Sequence, residues 1–153
     1  MAATVINSIY DAIAGWDICY NSDVPVKVRE LQSLTTRLGT PEGVVRILSP
    51  LDPETSNNSG HIALGTTMKI EWMITDTLYI RPTAHGGALR NSIPQLMNYV
   101  TAYLTAIKAD RSPTSQSWIE EADWKIGTYS YPNDNSDPYY GVRFILEVHE
   151  VIN

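Results

Sequence analysis

The alternating run Thr66–Ile80 (TTMKIEWMITDTLYI) constrains the fold more than any other stretch of the chain. Met68, Ile70, Trp72, Ile74, Leu78 and Ile80 share one parity, while Thr67, Lys69, Glu71, Thr75 and Thr77 share the other. Successive side chains of an extended backbone point to opposite faces, so the run predicts a half-buried strand. Asp76 falls on the apolar parity. The run also exceeds the usual strand length of about 5–6 residues, and together these predict a bulge, a bend or a tight turn near Thr75–Asp76. Asp76 is then expected to bond nearby backbone as a turn residue, with a functional carboxylate as the alternative.

Arg81-Pro82 ends the ladder, because proline has no amide hydrogen to donate, and Thr83-Ala84-His85-Gly86-Gly87 predicts a flexible corner. A helix comes next, over IPQLMNYVTAYLTAIKA, with Asn91 or Ser92 as cap and Pro94 in the first turn. Ile93, Leu96, Met97, Val100, Leu104 and Ile107 form its apolar face, expected to lie on the sheet. Met97, Tyr99 and Tyr103 are given no ligand role. The whole stretch Thr66–Ala109 reads as sheet, corner, helix.

On the N-terminal side, Ile6, Ile9, Tyr10 and Ile13 predict a short amphipathic helix over Ala2–Ala14, stopped by Gly15. Trp16, Ile18 and Tyr20 suggest an extended exit, Asn21–Pro25 a break, and Val26–Leu38 either an irregular extended segment or a short helix. Thr40–Gly43 reads as a turn, and Val44–Leu48 as a short strand closed by Ser49-Pro50. The polar stretch DPETSNNSGHIALG, about 52–65, predicts a surface loop. Beyond the second helix, Asp110–Ser117 reads as a break, Trp118–Asp123 as a brief turn and Trp124–Ser130 as a strand. Tyr131–Gly141 then suggests a mobile hairpin tip, and Val142, Phe144, Leu146 and Val148 set the inward parity of a last strand.

Length and charge limit the classes open to the chain. One domain is expected for 153 residues, a size at which about 70% of the unfolded surface can be buried. A net charge of −6 and a pI near 4.9 argue against a dedicated nucleic-acid binder, which needs clustered Lys and Arg. Cys19 stands alone, so internal disulfides and thiolate-rich zinc sites are excluded and a reducing, cytosolic setting is expected. The first fifteen residues lack the basic start and continuous apolar core of a signal peptide, and no stretch approaches the roughly 20 apolar residues of a membrane span.

Catalytic chemistry finds no motif. His61 lacks the paired spacing of a zinc site, and His85 lacks a partner Ser or Cys motif. The two glycines beside His85 match neither a dinucleotide nor a P-loop pattern. Asp134, Ser136 and Asp137 are rich in oxygen but miss the glycine and glutamate of a calcium loop. Glu120 and Glu121 are neighbours and do not point the same way.

Runs of strands with helices segregated from them imply an α+β fold, a mainly antiparallel sheet with two principal helices packed on one face. The order of elements resembles the tail terminator, or tail-completion, proteins of long-tailed bacteriophages. The features that carry the resemblance are the short first helix, Trp72-x-Ile74-x-Asp76 in the long strand, Arg81-Pro82, the Gly86-Gly87 corner, Leu96, Tyr99 and Tyr103 in the helix, and two closing strands. The segment Val26–Gly65 departs from the expected pattern, which also admits another neck or minor tail protein. The resemblance implies a homo-oligomeric ring, typically a hexamer, that caps the tail tube protein, ends its polymerisation and receives the head-tail connector protein. It implies assembly in the host cytoplasm, residence in the virion tail, no catalysed reaction and no cofactor. DNA would pass through without specific binding, and an acidic lumen suits that passage.

A closed ring needs two complementary patches on each subunit. Arg81 and Arg90, which flank the corner, and the loop tips around His61 and Asp134 are the expected interface residues. Two other classes make different predictions. A small enzyme or ligand-binding domain would gather His85, Asp76 and Arg81 at the corner, whereas an adaptor module would be a monomer with one apolar patch.

Overall fold

The computed structural model describes residues 6–21, 23–29, 44–49, 62–63, 68–82, 90, 92–131 and 134–152. Its elements are α1 (Ile6–Ala14), β1 (Val45–Ser49), β2 (Ile62–Ala63), β3 (Met68–Pro82), α2 (Ile93–Ala109), β4 (Ser117–Tyr131) and β5 (Asp134–Ile152). All strand pairs are antiparallel, in the order β1-β3-β5-β4, and β2 pairs β3 beside β1. The fold is α+β, with both helices on one face of the sheet, as the pattern of elements predicts.

The long run is one strand. Thr75 and Asp76 pair in register with Ile145 and Phe144, so β3 neither bends nor bulges there. The irregularity falls instead between Tyr79 and Arg81. Asp76 keeps its place on the apolar parity because a charged partner, Arg46, meets it on the helix side.

Two other expectations are corrected in the second half of the chain. Trp118–Asp123, expected as a brief turn, belongs to β4, which runs continuously from Ser117 to Tyr131. Alternation there is hidden because the register shifts between Ile119 and Glu121. Glu120 is the extra residue, and the parity of everything before it is reversed. The tip expected over Tyr131–Gly141 is narrower: Tyr131 pairs with Asp134, and after a register shift the ladder resumes at Pro138 opposite Ser130. Its polar composition reads as a turn, but Tyr131 and Tyr139 are both fully buried. Of the loop expected at 52–65, Ile62 and Ala63 form β2, and residues 52–61 lie outside the described residues.

The helix-side face of the sheet carries Leu48 from β1, Ile74 and Leu78 from β3, Ile119 from β4, and Val142, Phe144, Leu146 and Val148 from β5. Ile9 and Ile13 of α1 and Leu96, Tyr99, Val100 and Tyr103 of α2 close the core over them. The face of α2 that meets the sheet is therefore rotated from the expected one. Ile93, Met97 and Leu104 are exposed, and the two tyrosines take the centre. Ring packing explains the choice: Tyr103 stacks on Phe144 with centroids 3.7 Å apart, and Trp16 meets Tyr103 edge-on at 5.6 Å. Edge contacts such as that of Trp16 add to the burial of the rings themselves. Ser92 holds the cap position of α2, but its side chain makes no capping bond. The expected start of α1 at Ala2 lies outside the described residues.

On the opposite face a smaller cluster joins Val45, Ile47, Tyr79, Tyr131 and Tyr139. Gly141 makes this end of the sheet possible. A side-chain carbon there would run into the carbonyl of Leu78 on β3, whereas the space around Gly127 is open. Gly141→Ala is expected to cost about 1–3 kcal/mol through forced displacement of the ladder, and Gly127→Ala to stay within about 0.5 kcal/mol of the parent. Denaturant midpoints of the two variants check the contrast.

Candidate functional site

Asp76 is the charged residue that the sequence singles out, and its surroundings define its role. Arg46, the second residue of the apolar strand β1, turns its guanidinium onto it. Arg46 Nε donates to both carboxylate oxygens at 3.0 Å, and Nη2 donates to Oδ2 at 2.7 Å. The Tyr103 hydroxyl donates to the same Oδ2 at 2.7 Å. Nη2 also donates to the carbonyl of Ile13 at 3.0 Å, and Nη1 donates to that of Trp16 at 3.3 Å. Ile13 lies in the last turn of α1, where free carbonyls and the helix dipole favour a cation. Arg46 is 0% and Asp76 1% exposed.

This arrangement ties α1, β1, β3 and α2 together at one point. Burial acts to lower the Arg46 pKa, but the charge of Asp76 and its hydrogen bonds prevail and the net shift is upward. Tyr99 and Tyr103 are pushed well above the usual tyrosine value, first by burial and then by the neighbouring carboxylate. The pair is sealed from solvent and held by these bonds, so it serves the fold. A catalytic corner of His85, Asp76 and Arg81 loses its carboxylate to Arg46. His85 itself lies outside the described residues.

The expected interface residues fall in different places. Arg81 is in β3 just beyond the irregularity and pairs with Tyr140, while Asp134 opens β5 opposite Tyr131. Arg90 is exposed, two residues before the cap of α2. His61 lies outside the described residues, and the other three belong to different parts of the fold. What it presents instead is a side of the molecule built from α2 and β4. Ile93, Met97 and Leu104 are 37–40% exposed and occupy one flank of α2, about 140° around the axis from Tyr99 at 100° per residue. β4 is the outermost strand on that side of the sheet, and Trp124 on it is 40% exposed. The signal for this flank was present in the sequence, since the apolar positions of α2 are too many for one face.

A second group is on the sheet face away from the helices. Glu71 stands directly opposite His149 across β3 and β5, and Glu147 lies two residues away on the same side of β5. His149 Nε2 is 2.9 Å from Glu147 Oε1 and 3.7 Å from Glu71 Oε1. Among the described residues this is the one set of three His, Cys, Asp or Glu side chains with ligand atoms close enough to share a metal ion. Glu147-x-His149 on the polar parity of a strand is the sequence signal for it, and it is visible only once β3 is known to lie alongside. Near α1, a cleft of about 330 Å³ is lined by Tyr10, Asp11, Trp16, Asp17 and Lys27, among others. Cys19, close by in sequence, is half-buried and free.

The sequence matches no known protein family, and no curated protein is detectably similar to it. No helix among the described residues is long and apolar enough to cross a membrane.

The buried pair leads to two expected outcomes. Removing one partner, as in Asp76→Ala or Arg46→Ala, is expected to cost about 3–5 kcal/mol because the other charge is left buried alone. An apolar double replacement, Arg46→Met with Asp76→Leu, should recover most of that loss, as read from denaturant unfolding. Stability is also expected to fall as pH rises above 10.0, the ordinary tyrosine value. The unfolded chain releases its tyrosine protons there while Tyr99 and Tyr103 keep theirs in the folded state. Tyrosinate absorbance should rise only with loss of the folded circular dichroism signal for these two residues, and Tyr99→Phe should flatten the alkaline slope.

Proposed function

We propose that this chain is a structural subunit that closes into a ring on the end of a phage tail tube, stops its growth and offers a surface to the head connector. The reading ascribes no reaction to the chain. The observation that supports it best is the apolar flank of α2 beside β4, an edge strand with no neighbour on its outer side among the described residues. A fifteen-residue strand with an unfilled edge invites pairing by another chain. Ile93, Met97, Leu104 and Trp124 add apolar area on the same side of the sheet. In a ring this side meets a different surface of the next copy. Arg81, Arg90, His61 and Asp134 remain the candidates for contacts with the neighbouring copy. The charge of −6 suits a lumen that repels passing DNA.

The ring is expected to appear in light scattering as a multiple of 17.1 kDa, with an open centre in electron micrographs. Met97→Glu combined with Trp124→Glu should yield monomers with unchanged circular dichroism, and Arg81→Glu should weaken assembly without abolishing folding. A protein that stays monomeric at high concentration and does not bind tube ends would count decisively against the reading.

A further inference from the structure

We propose that Glu71, Glu147 and His149 form a binding site for a divalent first-row transition ion on the helix-free face of the sheet. The site is independent of the ring reading. An ion with ligands at about 2.1 Å places neighbouring donor atoms roughly 3.0 Å apart at right angles and roughly 3.4 Å apart in a tetrahedron. The separations of 2.9 and 3.7 Å from Nε2 to the two carboxylates bracket that range, and all three ligand atoms lie within 4.8 Å of one another. Little movement is needed to admit an ion between them.

Two features set this cluster apart from ordinary surface acids. His149 has a side chain only 6% exposed, and the polar contacts of its ring run through Nε2 to these two glutamates, Nδ1 being buried without a partner. The edge of Trp118 on β4 fixes the ring, with centroids 5.5 Å apart. Charge is the second feature. Glu121 of β4 lies directly opposite Glu147, which in turn is two positions from the residue facing Glu71. Like charges opposite one another across a ladder cost stability, and a cation among them removes that cost.

The donor set selects the ion. One imidazole with two carboxylates suits Zn²⁺, Mn²⁺ or Fe²⁺ better than Mg²⁺ or Ca²⁺, which take oxygen alone. Glu71 and Glu147 are 35% and 30% exposed, so the remaining positions open to solvent. Binding needs the imidazole tautomer with its proton on Nδ1. No acceptor meets that proton, and a ligand histidine normally has one, so the affinity expected is micromolar.

Calorimetric titration of the full chain with Zn²⁺, with Mg²⁺ in parallel, tests the site. Uptake of one Zn²⁺ per chain is expected, with displacement of the His149 ring signals in the proton magnetic resonance spectrum. Glu71→Gln and Glu147→Gln, which keep size and hydrogen-bonding capacity, should each weaken binding at least about tenfold, and His149→Gln should remove it. Circular dichroism and melting of each variant establish that it is folded. Absence of Zn²⁺ uptake, uptake that survives the double glutamine variant, equal affinity for Mg²⁺, or binding that leaves the His149 signals in place would each overturn the assignment. The last outcome would point to His61 or His85.

Discussion

The Arg46–Asp76 ion pair is the contact on which the rest of the structure turns. An isolated charge inside a core is prohibitively costly, and even a paired one must find hydrogen bonds for every remaining donor and lone pair. That demand sets the arrangement. Asp76 is met by Arg46 and Tyr103, and Arg46 reaches the carbonyls of Ile13 and Trp16. Only one placement of α1, β1 and α2 on β3 satisfies all of these at once. Apolar packing would accept several slips of a helix over a sheet; this network does not. Smaller polar ties act in the same sense, with Tyr10 donating to the Leu48 carbonyl and Trp16 Nε1 to Asp110 just past α2.

The sequence exposed much of this and concealed its centre. β3 was legible because one face is apolar and the other polar over nearly its whole length. α1, α2, β1 and the last strand were legible for similar reasons. Asp76 pointed to an anomaly but not to its resolution, because the partner lies thirty residues earlier in a strand whose own anomaly is a lone arginine. Two opposite charges, each breaking an apolar pattern in a separate strand, are a pairing signal that no single window contains. Trp124–Ser130 was legible as strand, but the first part of β4 was hidden by one inserted residue, Glu120, and the buried face of α2 by tyrosines whose hydroxyls make them read as neutral to burial. Glu71 and His149 belong to strands far apart in sequence, so their proximity is a property of register alone.

The two sheet faces differ in kind. The helix side is closed by apolar burial and locked by one ion pair. The other face carries aromatic packing at the end near Tyr79, Tyr131 and Tyr139, where Arg143 lies 4.4 Å above the Tyr129 ring, and concentrated acid at the end near His149. Neither face is uniform, and the side formed by α2 and β4 adds a third kind of surface that is apolar without being buried. The three surfaces therefore differ in the chemistry they offer to solvent.

The position of β5 has a consequence for the order in which the sheet forms. It is the last strand in chain order, yet it lies inside the sheet between β3 and β4. Its contacts with β4 are local, across a short connection, whereas those with β3 span separations such as the 66 residues between Thr77 and Arg143. Closure of long separations is slow compared with local pairing. A nascent chain therefore holds β3 with one side unpaired until β5 has been synthesised, and the Phe144 platform under Tyr103 is missing until then. The core under α2 is thus completed only after translation has passed this strand.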